Sequence, residues 1–417
     1  MDVESSLKKL FSLHTFGIKL GLENTIKFLE HLGNPQNFLK TIHVAGSNGK
    51  GSSLSFIASI LQERGYKTGL YTSPHFVKFN ERIVINGKQI DDEYIAGFIE
   101  ENEKFIDDFQ LTFFEVTTAM AFKYFLEMKT DYCVIETGLG GRLDATNVLN
   151  PLAVVITTIS LEHTNVLGNT IAQIASEKAA IIKNGSKVFT GILKNDAKDI
   201  VEQKCKETNS QLFQLKDFIS NGEDSINVLI DESISIEMSP PLRGKYQKYN
   251  AALAALTISK TFPSINKENY LLGILNVSRN TGLQGRYEYF NKKPDIIFDS
   301  AHNPEGIENF LNEFSKEVDL YRNRVLLFGA MRDKAIGEML KMLSGYFNQF
   351  IITGINYERA ASLEEISQEC NRLNINYSTI KEPGEFIRKF KKRSKDECLV
   401  VLGSMYLIGE IKAALVN

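Results

Sequence analysis

Short apolar runs alternate with longer helical patterns along almost all of this 417-residue chain, and this alternation limits the possible folds more than any other sequence feature. The runs in the first half are rich in β-branched or aromatic residues and are bounded by Gly, Asn or Pro, as buried strands are. They are residues 41–45, 68–72, 131–137 and 152–159. The stretches between them place apolar residues three or four positions apart, as amphipathic helices do. These stretches are 52–64, 91–108 and 116–128. The pattern predicts an α/β protein with a mostly parallel sheet.

A second series of alternations begins near residue 295, where DIIFDS, VLLFGA, FIITGI and CLVVLGS are each followed by a helical pattern. The polar stretch NKKP separates the two series and predicts a domain boundary at about 286–294. We therefore expect two domains, spanning residues 1–290 and 291–417. Short alternating runs in 209–240 predict a small antiparallel addition to the first domain.

The charge balance argues against a polyanionic partner. The chain has 48 Lys and Arg against 51 Asp and Glu, a net charge of −3, whereas proteins that bind nucleic acid or acidic membranes usually carry a basic excess. The one basic run, 386–395, is interpreted as a solvated helix face. No apolar run approaches the roughly 18 residues of a membrane span, and the N-terminus lacks a secretory signal pattern.

The four cysteines are far apart and form no CxxC pair, which favours a reducing compartment over a disulfide framework or zinc ribbon. We therefore predict a cytoplasmic protein.

A glycine-rich loop, Gly46-Ser47-Asn48-Gly49-Lys50-Gly51-Ser52, lies between the strand TIHVA and a helical pattern. Glycines let backbone N–H groups turn toward an anion, the helix N-terminus adds positive potential, and a lysine supplies a mobile charge. The loop departs from the pattern GxxxxGK[ST] at two positions. Val44 stands where the pattern has its first glycine, and Gly51 intervenes between Lys50 and Ser52. A strand, loop and helix in this order predict a nucleotide-phosphate site.

Polar residues follow several of the predicted strands. Ser73 and His75 follow 68–72, Glu136 ends 131–137, and His163 follows 152–159. A single histidine at a strand end is more often structural, but the carboxyl ends of parallel strands share one edge of a sheet. A hydroxyl, a carboxylate and an imidazole at that edge predict a Mg²⁺ site beside the phosphate loop. His14 and His31 are interpreted as ordinary surface or core residues.

Lys178 lies in the helical pattern IAQIASEKAAIIKNG among small and apolar residues. One interpretation is a surface lysine. The other is a partly buried amine near the site, whose pKa burial would lower.

Together these segments resemble the folylpolyglutamate synthase/dihydrofolate synthase family of Mur-ligase-like, ATP-dependent amide ligases. The matching segments occur in the family's order between about residues 16 and 411. They are IHVAGSNGKGS, YTSPHFVKFNERI, TFFEVTTAMAF, VIETGLGGRLDATNV, LEHTNVLG, EKAAIIK, GRYE, DSAHNP and GSMYLIGE. The resemblance implies a P-loop ATPase-like first domain and a smaller Rossmann-like second domain that closes on glutamate and nucleotide.

The resemblance also implies a role for each matching residue. Nucleotide would be bound by Gly46, Asn48, Gly49, Lys50, Gly51, Ser52, Asn250, Arg286 and Asp299. Two Mg²⁺ ions would be held by Ser73, Glu136, His163 and a carbamylated Lys178. Lys50, Lys178 and His302 would be catalytic. The pterin-bearing substrate would lie near His75, Arg82, Phe113 and Glu115.

Three positions depart from the family pattern. Ser47 stands where the family commonly has Thr, Glu162 where it usually has Asp, and Tyr246-Gln247 where it often has His-Gln. The last departure bears on contacts to the adenine. None of the three replaces a predicted metal or phosphate residue.

For a family member, ATP phosphorylates a carboxylate of folate or dihydropteroate, and the amine of L-glutamate attacks the acyl phosphate. This chemistry needs charge neutralisation, positioning and exclusion of water. The resemblance therefore implies ATP and two Mg²⁺ ions as cofactors, folate or dihydropteroate with L-glutamate as partners, and a monomer.

Two other functions remain open at this stage. One is a peptidoglycan-precursor Mur ligase, although the 45 residues before Gly46 are too few for its nucleotide-sugar domain. The other is a nucleotide-dependent switch that ligates nothing, although the guanine motif NKxD is absent and NKEN at 266–269 is its closest approach. The sequence does not decide between addition of the first glutamate, extension of a polyglutamate tail, or both.

Overall fold

The computed structural model describes residues 3–13, 21–221, 225–231 and 234–416. His14 therefore lies outside the described residues. Two compact units are present. The first consists of Met1–Pro74, Phe79–Pro240 and Lys248–Leu283, and the second of His75–Lys78, Pro241–Gln247 and Gln284–Asn417. The chain thus passes from the first unit to the second for the last time between Leu283 and Gln284, a few residues before the predicted boundary at residue 290.

The first unit is built on an eight-stranded sheet with the order β4-β3-β2-β5-β1-β6-β7-β8. Its strands are β1 Thr41–Ala45, β2 Thr68–Tyr71, β3 Ile83–Ile85, β4 Lys88–Gln89, β5 Tyr132–Glu136, β6 Ala153–Ile156, β7 Lys187–Thr190 and β8 Gln211–Gln214. Only the β2–β3 and β3–β4 pairs are antiparallel. A separate antiparallel sheet contains β9 Ile219–Asn221, β10 Ile226–Leu229 and β11 Ser235–Glu237.

Helices account for most of the remaining regular structure before residue 283. They are α1 Val3–Ser12, α2 Glu23–His31, α3 Lys50–Glu63, α4 Asp92–Asp108, α5 Phe113–Glu127, α6 Thr164–Leu167, α7 Ile171–Ala179, α8 Asn195–Glu207, α9 Lys245–Thr261, α10 Lys267–Leu275 and α11 Val277–Thr281.

Helix α3, which follows the glycine-rich loop, is buried along most of its length, from Ser52 to Leu61. It packs on β1, β2 and β5 and is also contacted by α10 and α11. A Cβ at Gly273 would lie 2.5 Å from the Cα of Ile60, and the Ser59 hydroxyl donates to the Gly273 carbonyl over 2.6 Å. Glycine in α10 therefore lets the two helix backbones approach closely at the C-terminal half of α3.

The second unit contains a six-stranded sheet with the order β12-β13-β17-β14-β15-β16. Its strands are β12 Glu288–Asn291, β13 Asp295–Phe298, β14 Asn323–Phe328, β15 Gln349–Thr353, β16 Tyr377–Ile380 and β17 Glu397–Leu402. Its helices are α12 Pro304–Phe314, α13 Ile336–Leu343, α14 Leu363–Arg372, α15 Pro383–Phe390 and α16 Met405–Val416. Only β12 pairs antiparallel, and each face of this sheet has its own apolar cluster.

The structure confirms the predicted α/β class, with a mostly parallel sheet in each unit. One detail of the prediction was wrong. The segment 209–240 is not wholly an antiparallel addition, because β8 joins the main sheet in parallel with β7. Its side chains are partly buried, and the flanking α8 supplies the long crossover that a parallel pairing requires.

Among the described residues, no helix combines the length and the apolar character needed to cross a bilayer.

Candidate active site

Four neighbouring parallel strands, in the order β2-β5-β1-β6, end at one edge of the first sheet. Their registers place Val44 opposite Glu136 and Ala45 opposite Ile156. The segments that follow these strands therefore emerge side by side. They carry Ser73, Glu136, the glycine-rich loop and His163, as the sequence predicted.

Two glycines allow the loop between β1 and α3 to lie close to its neighbours. A Cβ at Gly46 would be 1.9 Å from the Thr157 Oγ1 atom. Gly49 has φ +85°, and its Cβ would be 2.6 Å from the Asn250 Oδ1 atom. Any larger residue at these two positions would displace the loop, so its path depends on glycine.

Two threonines after β6 hold the middle of the loop. The Thr157 hydroxyl donates to the Asn48 carbonyl over 2.6 Å, and the Asn48 N–H donates to the Thr158 hydroxyl over 3.1 Å. The Ser47 N–H donates to the Thr158 carbonyl over 2.7 Å. Neither threonine was among the predicted site residues. Both lie within the predicted strand 152–159, whereas β6 ends at Ile156, so they follow the observed strand directly.

The first turn of α3 carries Lys50, Gly51 and Ser52, with α3 beginning at Lys50. The Lys50 Nζ donates to the Gly46 carbonyl over 2.9 Å and to the Ser47 carbonyl over 3.5 Å. The lysine thus folds over the loop whose N–H groups and helix N-terminus suit an anion. This arrangement can neutralise a polyphosphate chain.

Lys178 is buried against the same loop, with 2% of its surface exposed. Its Nζ donates to the Gly46 carbonyl over 2.9 Å and to the Glu162 Oε1 atom over 2.7 Å. Burial lowers the pKa of Lys178, although the Glu162 carboxylate opposes this effect. Burial alone would raise the pKa of Glu162, but Lys178 and Lys50 hold that pKa well below its usual range. The structure therefore resolves the two interpretations of Lys178 in favour of the buried one.

Glu162 stands at one of the three positions that depart from the family pattern. Its carboxylate is the ionic partner of Lys178 and immediately precedes His163, a non-glycine residue with φ +45° at the start of α6. On the other side of the loop, the Ser73 N–H donates to the Glu136 Oε2 atom over 2.9 Å, and Glu136 is buried. Ser73 and Glu136 therefore meet, as do Lys178 and the phosphate loop.

The donor set at this edge suits a hard divalent cation. Glu136 offers carboxylate oxygens and Ser73 a hydroxyl, which are oxygen ligands of the kind Mg²⁺ prefers. Within the described ranges, no group of three or more His, Cys, Asp or Glu side chains is arranged to hold a metal. A metal beside the Glu136 carboxylate would accordingly need hydroxyl, phosphate or water oxygens as further ligands.

A buried network supports the segment after β5. The Asp144 Oδ1 atom accepts from the Thr146 hydroxyl over 2.5 Å, and its Oδ2 atom accepts from the Leu139 N–H over 2.8 Å. The Thr146 Oγ1 atom in turn lies 2.8 Å from the Nε2 atom of His43. Since the Thr146 proton goes to Asp144, the His43 Nε2 is the donor. Sequence reasoning missed Asp144, although the acidic residue stands within the GLGGRLDATN motif.

The predicted substrate contacts Arg82, Phe113 and Glu115 all lie in the first unit and are buried. The Arg82 guanidinium lies 5.1 Å from the centroid of the Phe113 ring, over its face. Glu115 has a local partner, because its Oε2 atom accepts from the N–H and the hydroxyl of Thr112, over 2.7 and 2.8 Å. His75, the fourth predicted contact, belongs to the second unit.

In the second unit, Arg286, Asp299 and His302 cluster around the carboxyl end of β13. The Asp299 carboxylate accepts from the N–H groups of Tyr287 and Ala301, over 2.7 and 2.8 Å. Burial raises the pKa of Asp299, and the nearby Arg286 opposes this shift. The His302 Nδ1 atom lies 2.8 Å from the Ser300 carbonyl, so Nδ1 carries the proton. Asn250, the remaining predicted nucleotide residue, lies in the first unit beside Gly49.

Two family models match the chain. The Mur ligase middle domain matches residues 44–258, and the Mur ligase glutamate ligase domain matches residues 285–405.

A curated relative, the dihydrofolate synthase/folylpolyglutamate synthase of Bacillus subtilis, is 34% identical over 420 residues, covering 96% of each chain. Among solved structures, Escherichia coli FolC in complex with DHPP and ADP is 27% identical with a TM-score of 0.88, covering 100% of this chain and 98% of that one. A bifunctional folylpolyglutamate synthase/dihydrofolate synthase with Mn, AMPPNP and L-glutamate bound is 25% identical with a TM-score of 0.86, covering 100% and 98%. These matches extend over both units.

Proposed function

Because the chain belongs to the folylpolyglutamate synthase/dihydrofolate synthase family, we propose that it joins L-glutamate to a carboxylate of folate or dihydropteroate while ATP is cleaved to ADP and phosphate. The observation that carries the proposal is the buried Lys178 hydrogen-bonded to the Gly46 carbonyl of the phosphate loop. Burial of a lysine cation costs free energy, and such groups cluster at functional sites, which favours a role for Lys178 in the reaction. Relatives solved with ADP and DHPP, or with AMPPNP, Mn and L-glutamate, support the same substrates for this chain.

The reaction has two steps. A carboxylate oxygen of the acceptor attacks the γ-phosphorus of ATP, ADP leaves, and an acyl phosphate forms. The amine of glutamate then attacks the acyl carbon, phosphate leaves with the bonding electrons, and the amine loses a proton to give the amide. Phosphoryl transfer depends mainly on positioning and charge neutralisation.

The phosphate loop supplies both requirements. Backbone N–H groups from Gly46 to Ser52 and the start of α3 orient the phosphates, while Lys50 neutralises their charge. Asn250, which lies beside Gly49, is proposed to contact the nucleotide. Arg286 and Asp299 are proposed to bind the nucleotide, and His302 is proposed to take part in catalysis.

Ser73, Glu136 and His163 are the residues that would hold Mg²⁺. When bound, the ion polarises phosphate oxygens and neutralises the charge that develops on them. Carbamylation of Lys178 would replace a cation with an anion beside Glu162. Such a change in a buried site requires compensating positive charge, which supports a second ion next to Lys178.

The acceptor is proposed to lie near Arg82, whose guanidinium suits a carboxylate, and near Phe113. His75 and Glu115 are two further proposed acceptor contacts. We also propose that the protein acts as a monomer in the cytoplasm. All four cysteines are buried and free, which suits a reducing compartment.

A direct test measures ADP release with Mg²⁺, ATP and L-glutamate, using dihydropteroate and tetrahydrofolate as acceptors in parallel. We expect ADP to form only when acceptor and glutamate are both present, and the preferred acceptor identifies which of the two synthase activities dominates. Absence of ADP with either acceptor would refute the proposed ligase activity.

Lys178→Ala tests the observation on which the proposal depends. We expect ADP release to fall at least about 100-fold, as for loss of a positioned charged group at a reacting centre. The control is Lys194→Ala, which removes an exposed lysine of the same unit. Full activity of Lys178→Ala would show that this lysine has no part in the reaction, even if the ligase activity itself is present.

A further inference from the structure

The chain enters the second unit for four residues, His75–Lys78, directly after Ser73-Pro74, and returns to the first unit at Phe79. This short segment therefore lies between a proposed metal ligand, Ser73, and a proposed acceptor ligand, Arg82. Within it, Phe76 packs against an apolar cluster of the second unit. That cluster includes side chains of β13, β14, β15, β17, α15 and α16, among them Phe298 and Ile408.

Two glycines of the second unit make room for Phe76. A Cβ at Gly409, in α16, would lie 2.0 Å from the Phe76 carbonyl oxygen. A Cβ at Gly285 would lie 2.5 Å from the Cζ atom of the Phe76 ring. Both the backbone and the ring of Phe76 thus occupy space that any residue larger than glycine would take.

Lys412, on the same helix, also contacts Phe76. We call Gly285, Gly409 and Lys412 together the seat of Phe76. The Lys412 Nζ lies 5.5 Å from the centroid of the Phe76 ring, within the range of a cation–π contact. It also donates to the Gln284 Oε1 atom over 2.6 Å and to both carboxylate oxygens of Glu288 over 2.9 Å. Glu288 accepts from the Gly285 N–H over 2.7 Å. The residues that contact Phe76 are therefore held to one another.

These contacts involve three motif residues to which the proposed function assigns no role. Gly285 and Glu288 belong to GRYE, and Gly409 belongs to GSMYLIGE. Each motif contributes one close contact to Phe76, so the motifs and the segment His75–Lys78 form one packing unit.

We propose that Phe76 is a positioning residue whose seat on Gly285, Gly409 and Lys412 fixes the segment between Ser73 and Arg82 for binding of the acceptor. The effect on the acceptor rests on the proposed function, whereas the seat itself does not. Phe76 does not touch reacting atoms in this role. It limits the positions available to the two ends of the segment.

The experiment compares Phe76→Ala and Gly409→Ala with the unmodified enzyme. Gly345→Ala is the control, because a Cβ there meets nothing within 4 Å and the residue lies in the same unit. We expect the KM for the acceptor to rise about tenfold or more in both test variants, since small misplacements of binding groups have large effects. Phe76→Leu, which keeps an apolar side chain, is expected to stay closer to the unmodified enzyme. The KM of Gly345→Ala for the acceptor is expected to equal that of the unmodified enzyme.

A second readout does not depend on activity. Lys78 is exposed, and trypsin cleaves after lysine when the segment opens locally. We expect cleavage after Lys78 to be faster in Phe76→Ala and Gly409→Ala than in Gly345→Ala. Cleavage rates equal to that of the unmodified protein would overturn the proposed seat.

The role in acceptor binding can fail separately. Faster cleavage with an unchanged acceptor KM would reduce the seat to a structural contact and overturn the positioning role. The double variant Phe76→Ala/Gly409→Ala should show a KM close to that of the worse single variant, because both changes remove one contact. Additive effects would contradict a shared seat. If the unmodified protein forms no ADP, the proposed function fails, while the trypsin comparison still tests the seat.

Discussion

Buried ionisable side chains near the phosphate loop differ in how their charge is balanced. Lys178 and Glu162 neutralise each other over 2.7 Å. His43, in β1, is fully buried and has no carboxylate partner, and its Nδ1 atom has no hydrogen-bond partner. Burial, with a smaller effect from Lys183, lowers the pKa of His43 to about 3. This histidine is therefore neutral in the folded protein at ordinary pH.

The low pKa of His43 predicts an acid-sensitive stability. An unfolded histidine titrates near pH 6.5, about as in model peptides. Between that pH and about pH 3 the unfolded chain binds a proton that the folded protein does not, so stability falls as the pH is lowered through this window. His43→Gln removes this contribution, which amounts to about 1.4 kcal/mol per pH unit.

Urea unfolding at several pH values from 8 to 5 measures the difference. We expect the free energy of unfolding of His43→Gln to fall less steeply below pH 6.5 than that of the unmodified protein. At pH 8 the histidine is neutral in both the folded and the unfolded chain. The difference in the free energy of unfolding between His43→Gln and the unmodified protein at that pH therefore measures the effect of altered packing alone. Parallel pH profiles would contradict a buried neutral histidine.

In helix α5, the candidate substrate-binding residue Glu115 also takes part in capping the helix. Thr112 is its N-cap and Glu115 its third residue, and the two side chains form a capping box. The box satisfies N–H groups that otherwise lack partners at the start of the helix. The predicted contact of Glu115 with substrate remains a prediction. The structure gives its carboxylate a capping role.

Thr112→Ala tests the cap. We expect the free energy of unfolding to decrease by about 1 kcal/mol, because an N-cap hydroxyl is lost. Thr112→Ser is the matched control and should retain most of the stability, since serine caps helices as well as threonine does. Chemical denaturation of the three proteins provides the measurement. An equal loss in both variants would indicate that packing of the threonine methyl group, rather than the hydroxyl, matters at this position.

For the whole molecule, the division into two units depends on side chains that bring distant segments together. In the second unit, the buried Glu317 carboxylate accepts from the hydroxyls of Tyr287 and Tyr289, over 2.5 and 2.6 Å, and from Arg243 over 2.7 Å. Arg243 belongs to Pro241–Gln247, which is separated in sequence from the rest of that unit. Glu317 thus joins this segment to the sheet.

Glu317→Ala leaves these donors without their acceptor. We expect the second unit to lose about 2–3 kcal/mol of stability, since unsatisfied buried donors cost about 1–3 kcal/mol each. Because each unit has its own apolar clusters, calorimetry is expected to resolve two transitions, of which only one shifts to lower temperature. The control is Glu308→Ala, an exposed residue of α12. A uniform shift of the entire profile would argue against separate units.

The amino-acid sequence alone was enough to predict the α/β class and the loop between β1 and α3. It also placed candidate residues after successive strands. These properties are local, because the period of the apolar residues follows the secondary structure, and a glycine-rich loop before a helix offers N–H groups wherever the chain later packs. For this reason Ser73, Glu136 and the loop residues could be predicted to share one edge of a sheet before any contact was known.

The contacts between distant groups are evident only from the three-dimensional structure. It paired Lys178 with Glu162 and with the Gly46 carbonyl, it turned the Glu115 carboxylate back to Thr112, and it assigned His75–Lys78 to the second unit. The β8 pairing and the seat of Phe76 were likewise not readable from local patterns. Each of these contacts depends on burial and close approach between segments far apart in the chain, and such packing has no periodic signature in the sequence.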